Sequence, residues 1–175
     1  QLVAQVAIDV EVDAFAYDRG LHVDVVLTSP DGTTTSSRLR LPHAVGSARQ
    51  AAAVVRVPDV QLWWTHDLGS PALYDVVLTL AGEGGVFDEV RDRVGLRTVE
   101  LDRSSDDVQP GRLFRFLLNG LPTYSRGANW LPPSMLRGAV TPENVHRLVD
   151  LARRAEMTML RVWGGGAYEQ NAFYE

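Results

Sequence analysis

Apolar and polar residues alternate along most of the first hundred positions. Over 2–12 the even positions are Leu, Ala, Val, Ile, Val and Val, while Gln5, Asp9 and Glu11 stand among the odd ones. A period of two puts one set on each face of the chain, so this segment reads as a half-buried strand. Leu21, Val23, Val25 and Leu27 repeat the pattern, with His22, Asp24 and Thr28 opposite. Ser29-Pro30-Asp31-Gly32 reads as a turn: Pro fixes φ, and Asp and Gly tolerate the conformations that follow it. The polar, β-branched run 33–41 suits an edge strand. Segments 51–57, 73–81, 86–90 and 97–102 complete the series, and Gly82-Glu83-Gly84-Gly85 joins two of them. Seven short strands with no helical period between them predict an immunoglobulin-like β-sandwich over 1–103.

The pattern changes after residue 103. Ser104-Ser105-Asp106-Asp107, running to Pro110-Gly111, reads as a linker over 104–112. Phe114-Arg115-Phe116-Leu117-Leu118 then meets Asn119-Gly120, a strong hairpin signal, and Leu121-Pro122-Thr123-Tyr124 returns. A short strand is expected over 125–129. Thr141-Pro142-Glu143 starts a helix, with Thr as N-cap, Pro in the first helical position and an acid in the first turn. Val145, Leu148, Val149, Ala152 and Ala155 follow at spacings of three and four, an apolar stripe. Thr158-Met159-Leu160-Arg161-Val162 is the next strand, stopped by Trp163-Gly164-Gly165-Gly166. Strand, loop, helix, strand is a βαβ unit with parallel strands. The chain is thus mainly β, a sandwich followed by the opening of an α/β domain over 113–175.

Composition narrows the function classes. The 175 residues are 45% hydrophobic and 22% charged, enough apolar material for a real core. There is no cysteine, so disulfides, thiol nucleophiles and thiolate metal sites are excluded. All 17 basic residues are Arg, which excludes lysine Schiff-base and P-loop lysine chemistry, and the net charge of −5 argues against a nucleic-acid partner. No apolar run approaches the ~18 residues of a membrane-spanning helix, and no signal peptide opens the chain, so a cytoplasmic location is favoured. His22, His43 and His66 share no ligand spacing, so surface or capping roles are expected and no metal or other cofactor is called for. In Trp63-Trp64 one indole is expected in the core and the other at an interface, as packing rather than as a sugar platform.

Parallel α/β folds place their ligands at the carboxyl ends of the strands. Asn129 and Trp130 fall at one such end, and Arg161, Trp163 and Gly164 at the other. An amide, a guanidinium and two indoles on one rim suit a sugar ring, with polar groups for hydroxyls and aromatic faces for C–H surface. Plain readings stand beside this one. Trp130 before Leu131-Pro132-Pro133 can be loop packing, the three glycines a turn, and Arg161 either a rim residue or half of a buried ion pair.

These residues also carry a resemblance. Phe116-x-x-Asn119-Gly120-x-Pro122, Arg126-Gly127-Ala128-Asn129-Trp130-Leu131-Pro132, the stretch from Asn144 through Met157, and Leu160-Arg161-Val162-Trp163-Gly164-Gly165-Gly166-Ala167-Tyr168-Glu169 with Phe173-Tyr174 resemble the β-mannosidases of glycoside hydrolase family 2. Upstream, Leu62-Trp63-Trp64-Thr65, Leu68-Gly69-x-Pro71-x-Leu73-Tyr74 and Val94-Gly95-Leu96-Arg97 are similar to the sandwich domain that precedes the catalytic barrel in that family.

The resemblance implies a retaining exo-β-mannosidase that releases mannose from β-linked oligosaccharides, the expected partner along with the remaining domains of the same polypeptide. Retention needs two carboxyls about 5 Å apart. In the family the acid/base lies in an Asn-Glu dipeptide, which this sequence lacks, and Glu169 and Glu175 do not match its catalytic positions. The nucleophile and the acid/base are therefore expected outside these 175 residues. A (β/α)₈ barrel takes about 250 residues, whereas 51 follow Tyr124. The chain alone is expected to be inactive, and the segment after residue 110 to be poorly ordered, self-associated or stuck to the sandwich. The resemblance further implies that Arg161 orients the nucleophile, that Trp163 stacks on the sugar, and that Asn129 and Trp130 line the same pocket. A non-catalytic sandwich module and another exo-glycosidase of the family, such as a glucosaminidase, are the competing readings.

Overall fold

The structure, a computed structural model, describes residues 2–13, 20–42, 48–134, 136–166 and 168–174. His43 and Glu175 fall outside the described residues. The chain divides into two compact units, Gln1–Trp64 with Ser70–Arg97, and Thr65–Gly69 with Thr98–Glu175.

The first unit is an immunoglobulin-like sandwich. Strands β1 (Val3–Asp13) and β4 (Ala48–Pro58) pair antiparallel. The facing sheet has the order β3-β2-β5-β6, from β2 (His22–Thr28), β3 (Thr34–Arg40), β5 (Tyr74–Gly82) and β6 (Gly85–Val94). The register matches the alternation in the sequence: Val6 stands opposite Val55 and Ile8 opposite Ala53, while Val25 stands opposite Leu78 and Leu27 opposite Val76. Period two therefore brings all the inward side chains into one core around Val23, Val25, Leu27, Leu39, Val55, Val57 and Tyr74. Tyr74 is 1% exposed, and its hydroxyl accepts the backbone N–H of Gln61 at 2.9 Å. The Ser29–Gly32 turn forms as expected. Gly32 has φ +87, and Asp31 accepts from the Ser29 hydroxyl, from the Thr33 backbone N–H at 3.0 Å and from the Gln61 amide at 2.9 Å. The Ser29 hydroxyl and the Thr33 N–H hold the Asp31 carboxyl down at about 2.

Two expectations need correction. Segment 97–102 forms a strand, β7 (Val99–Asp102), but it leaves the sandwich, which keeps six strands among the described residues. It pairs instead with β8 (Arg115–Leu118), and β8 with β9 (Leu121–Thr123). The polar run 104–112 is accordingly not a linker but the long connection of the β7–β8 hairpin. Ser105 bridges Arg112, Leu113 N–H bonds Ser104 O at 2.9 Å, and Asp106 Oδ1 accepts the Val108 N–H at 2.8 Å. Asp and Ser favour such local side-chain-to-backbone bonds as readily as they favour linkers. The division between units falls after Arg97.

In the second unit, the Asn119-Gly120 hairpin turn has positive φ at both residues, +50 and +79. Next come β10 (Gly127–Trp130), α1 (Pro142–Arg154) and β11 (Met159–Val162). Thr141 caps α1 by accepting the Asn144 N–H at 3.3 Å, and Val145 is completely buried. The helix closes with Glu156 in the left-handed region at φ +57, its N–H on Arg153 O and the Met157 N–H on Ala152 O. The Glu156 carbonyl accepts the Arg126 Nε–H at 2.7 Å, and its carboxylate lies 3.4 Å from His66 Nε2. β10 and β11 run parallel, as the βαβ reading requires. Gly127 begins β10 because a Cβ there would stand 1.7 Å from the Met159 carbonyl oxygen.

Candidate functional site

The register of the parallel pair places Gly127 beside Met159, Asn129 beside Arg161 and Trp130 beside Val162. Residues side by side in register on adjacent strands point to the same face of the sheet, so the exposed side chains of Asn129 and Arg161 emerge together at the carboxyl ends of their strands. Arg161 Nη1 donates to Asn129 Oδ1 at 3.1 Å. Of the two placements open for Arg161, a buried ion pair is not what the structure has: the guanidinium is exposed, with no buried carboxylate beside it among the described residues. An exposed guanidinium held by a neutral amide keeps donors free for an anionic or hydroxylic ligand.

Trp163 follows directly, its N–H bonded to the Trp130 carbonyl at 2.9 Å. The indole is 47% exposed and lies over Gly165, where a Cβ would come within 2.4 Å of the ring. Gly166 abuts Pro132, at 3.2 Å from a built Cβ to Pro132 Cγ. These contacts explain two of the three glycines by packing within the chain. Gly164 is exposed, and a Cβ there would meet nothing within 4 Å. Beside Trp163 opens a cleft of about 270 Å³, lined among others by Leu131, Pro132, Ser134, Tyr168, Glu169 and Gln170.

Trp130 departs from the expectation. It is 7% exposed and does not line this cleft. Its ring packs 4.7 Å from Phe173, and its indole N–H donates to Glu169 Oε1 at 2.9 Å. Asn129 and Arg161 do not line the cleft either, but of the three only Trp130 is buried. The loop-packing reading of Trp130 is therefore the one that fits. Glu169, set aside in the sequence, is the residue that pattern reading missed. The available signal was that a buried indole N–H needs an acceptor. Sequence reading also missed His66 and Asp67, which belong with the second unit, Asp67 Oδ2 standing 3.8 Å from Arg126 Nη2.

No three His, Asp or Glu side chains converge among the described residues. His22 instead bonds the Gly20 carbonyl through Nδ1 at 2.7 Å. No helix of the described residues is long and apolar enough to cross a membrane. Trp63 sits against Gly95, and the Arg97 guanidinium lies 4.6 Å above its ring, a cation–π contact inside the first unit.

Comparison with known proteins agrees with this architecture. The chain is 35% identical over 139 residues to the β-mannosidase of Capra hircus, covering 79% of this chain and 16% of that protein. It is 34% identical over 162 residues to the β-mannosidase of Rattus norvegicus, covering 86% of this chain and 18% of that protein. The chain thus spans less than a fifth of the length of either relative. The crystal structure of the β-D-mannosidase from Dictyoglomus thermophilum superposes on 98% of this chain and 21% of its own, with a TM-score of 0.87 and 30% identity. The family model described as Glycosyl hydrolases family 2 matches residues 3–97. With more than half of its length matched in this way, the chain belongs to glycosyl hydrolase family 2.

Proposed function

We propose that this chain is the sandwich domain and the first βαβ unit of the catalytic barrel of a retaining exo-β-mannosidase, acting on terminal β-mannosyl residues of oligosaccharides. The observation that carries the reading is the Asn129–Arg161 pair, joined at 3.1 Å on adjacent parallel strand ends, with the half-exposed Trp163 indole next in the chain. An amide and a cation on adjacent strand ends, with an exposed indole two residues after the cation, are groups that suit a pyranose ring, although Asn129 and Arg161 do not line the cleft that Trp163 borders. In this reading Arg161 orients the nucleophilic carboxylate and keeps it ionised, as a cation within a few ångströms does. Asn129 and Gly164 border the sugar, Trp163 stacks on it, and Trp130 supports the rim from beneath. Retention requires two carboxyls about 5 Å apart. Glu169, which borders the cleft beside Trp163, accepts the Trp130 indole hydrogen, and no Asn-Glu dipeptide occurs in the sequence, so both catalytic carboxyls are assigned to other parts of a longer polypeptide.

The test uses both lengths of protein. The 175-residue chain is expected to show no turnover of an aryl β-mannoside, and measurable hydrolysis by it defeats the reading. In the longer enzyme, Arg161→Ala is expected to lower kcat by about 100-fold or more, whereas Trp63→Ala lowers thermal stability and leaves kcat near its original value. Comparable kinetic losses from both mean that the rim is misassigned. Preference for an aryl β-glucosaminide over the mannoside replaces the substrate class.

A further inference from the structure

Trp130 holds the loop after β11 at two points. Its indole N–H donates to Glu169 Oε1 at 2.9 Å, and its ring lies 4.7 Å from Phe173 in the short 3-10 turn Asn171–Phe173. Between β11 and that grip the chain reverses, with the Gly166 N–H on the Trp163 carbonyl at 3.3 Å, the Trp163 ring over Gly165, and Gly166 against Pro132. Trp163 and Glu169 line the same cleft. Trp163 is thus tied to the end of β10 through its own N–H, at 2.9 Å on the Trp130 carbonyl, and the far side of its loop is tied there through Glu169. A carboxylate acceptor makes that fastening stronger than a neutral one, because charge-assisted bonds are roughly twice as strong.

We propose that Glu169 is a positioning residue of the sugar rim: by accepting the Trp130 indole hydrogen it ties the loop carrying Trp163 to the end of β10 and fixes the direction in which Trp163 presents its face. The proposal rests on the reading above in taking Trp163 as the sugar-stacking indole.

Four indole N–H signals are available in the ¹⁵N-labelled 175-residue chain, one per Trp, and single Trp→Phe variants assign them. Glu169→Leu is expected to move the signals of both Trp130 and Trp163 and to speed solvent exchange of the Trp130 indole hydrogen roughly tenfold or more. Trp63 and Trp64 stay in place as internal controls. Glu169→Gln keeps an oxygen acceptor and is expected to restore the Trp163 signal. A Trp163 signal that stays put in Glu169→Leu while that of Trp130 moves overturns the proposal. Should that variant fail to fold, Trp130→Phe removes the donor while keeping a ring against Phe173, and an unmoved Trp163 signal there overturns it equally. Kinetics of the longer enzyme separate the two readings. Unchanged kcat and KM on an aryl β-mannoside in its Trp163→Ala variant remove the stacking role, whereas the spectra of the variants still decide whether Glu169 sets the indole.

Discussion

In the sandwich, β2 alone contributes Val23, Val25 and Leu27 at 2% exposure or less, and the neighbouring strands wrap them in a closed apolar layer. In the second unit the buried hydrophobic residues among those described are Leu118, Trp130 and Val145, while Phe114, Tyr124, Leu136 and Tyr168 stand 74 to 94% exposed. The difference follows from the elements. Antiparallel strands that alternate strictly need only one facing sheet to bury their apolar side. The parallel pair β10-β11 of the second unit has no third strand beside it among the described residues. Stability is therefore concentrated in the sandwich, and the exposed aromatic surface in the unit that carries the candidate rim. Apolar surface of this kind marks where further structure or a ligand is met.

The sharpest way to break this contrast is a pair of tyrosine deletions. Tyr74→Ala removes a buried ring together with the acceptor of the Gln61 N–H, and is expected to cost about 4 kcal/mol in urea unfolding of the sandwich. Tyr168→Ala, at a position 94% exposed, is expected to stay within about 0.5 kcal/mol. Equal losses would abolish the distinction. Gly127→Ala comes next, since its Cβ would collide with the Met159 carbonyl. A local loss of about 2 kcal/mol is expected, read as faster amide exchange along β11 with the exchange of β2 unchanged. Thr141→Ala should cost about 1 kcal/mol by removing the acceptor of the Asn144 N–H, seen as fraying of the first turn of α1.

The smallest effect concerns pH. Asp31 has its pKa lowered from the ordinary 3.8 to about 2 in the folded chain. A depressed carboxyl stabilises the fold above its unfolded pKa, and that contribution disappears as the pH falls from about 4 through about 2. Asp31→Asn is expected to flatten the urea midpoint of the sandwich across that window, and an unchanged slope would show that the turn carries no linkage.

Where a segment's own pattern dictated its partner, the sequence was readable. The even positions of β1 and the odd positions of β2 point inward as the alternation says. The Asn119-Gly120 turn, the Thr141 cap and the parallel pairing of β10 with β11 all follow from local chemistry. What escaped was choice between partners. Nothing in Val99-Glu100-Leu101-Asp102 says whether the strand joins the sheet before it or the one after it, and here Asp102 pairs with Arg115 at 2.7 Å on β8. The pairing of Asn129 with Arg161 was legible because their positions at adjacent parallel strand ends fixed both side chains. The burial of Trp130 was not, because adjacent residues on a strand point to opposite faces and its acceptor, Glu169, lies 39 residues further along the chain.

Glu156 carries one last implication. A left-handed backbone at a residue with a side chain costs on the order of 1 kcal/mol, and glycine is the usual occupant of such a helix end. The bond from Arg126 Nε goes to the main-chain carbonyl, so glycine would preserve it, while the carboxylate beside His66 would be lost. Anyone hardening this polypeptide against heat by substituting frequent residues at strained positions would start here, trading an exposed carboxylate–imidazole contact for conformational relief.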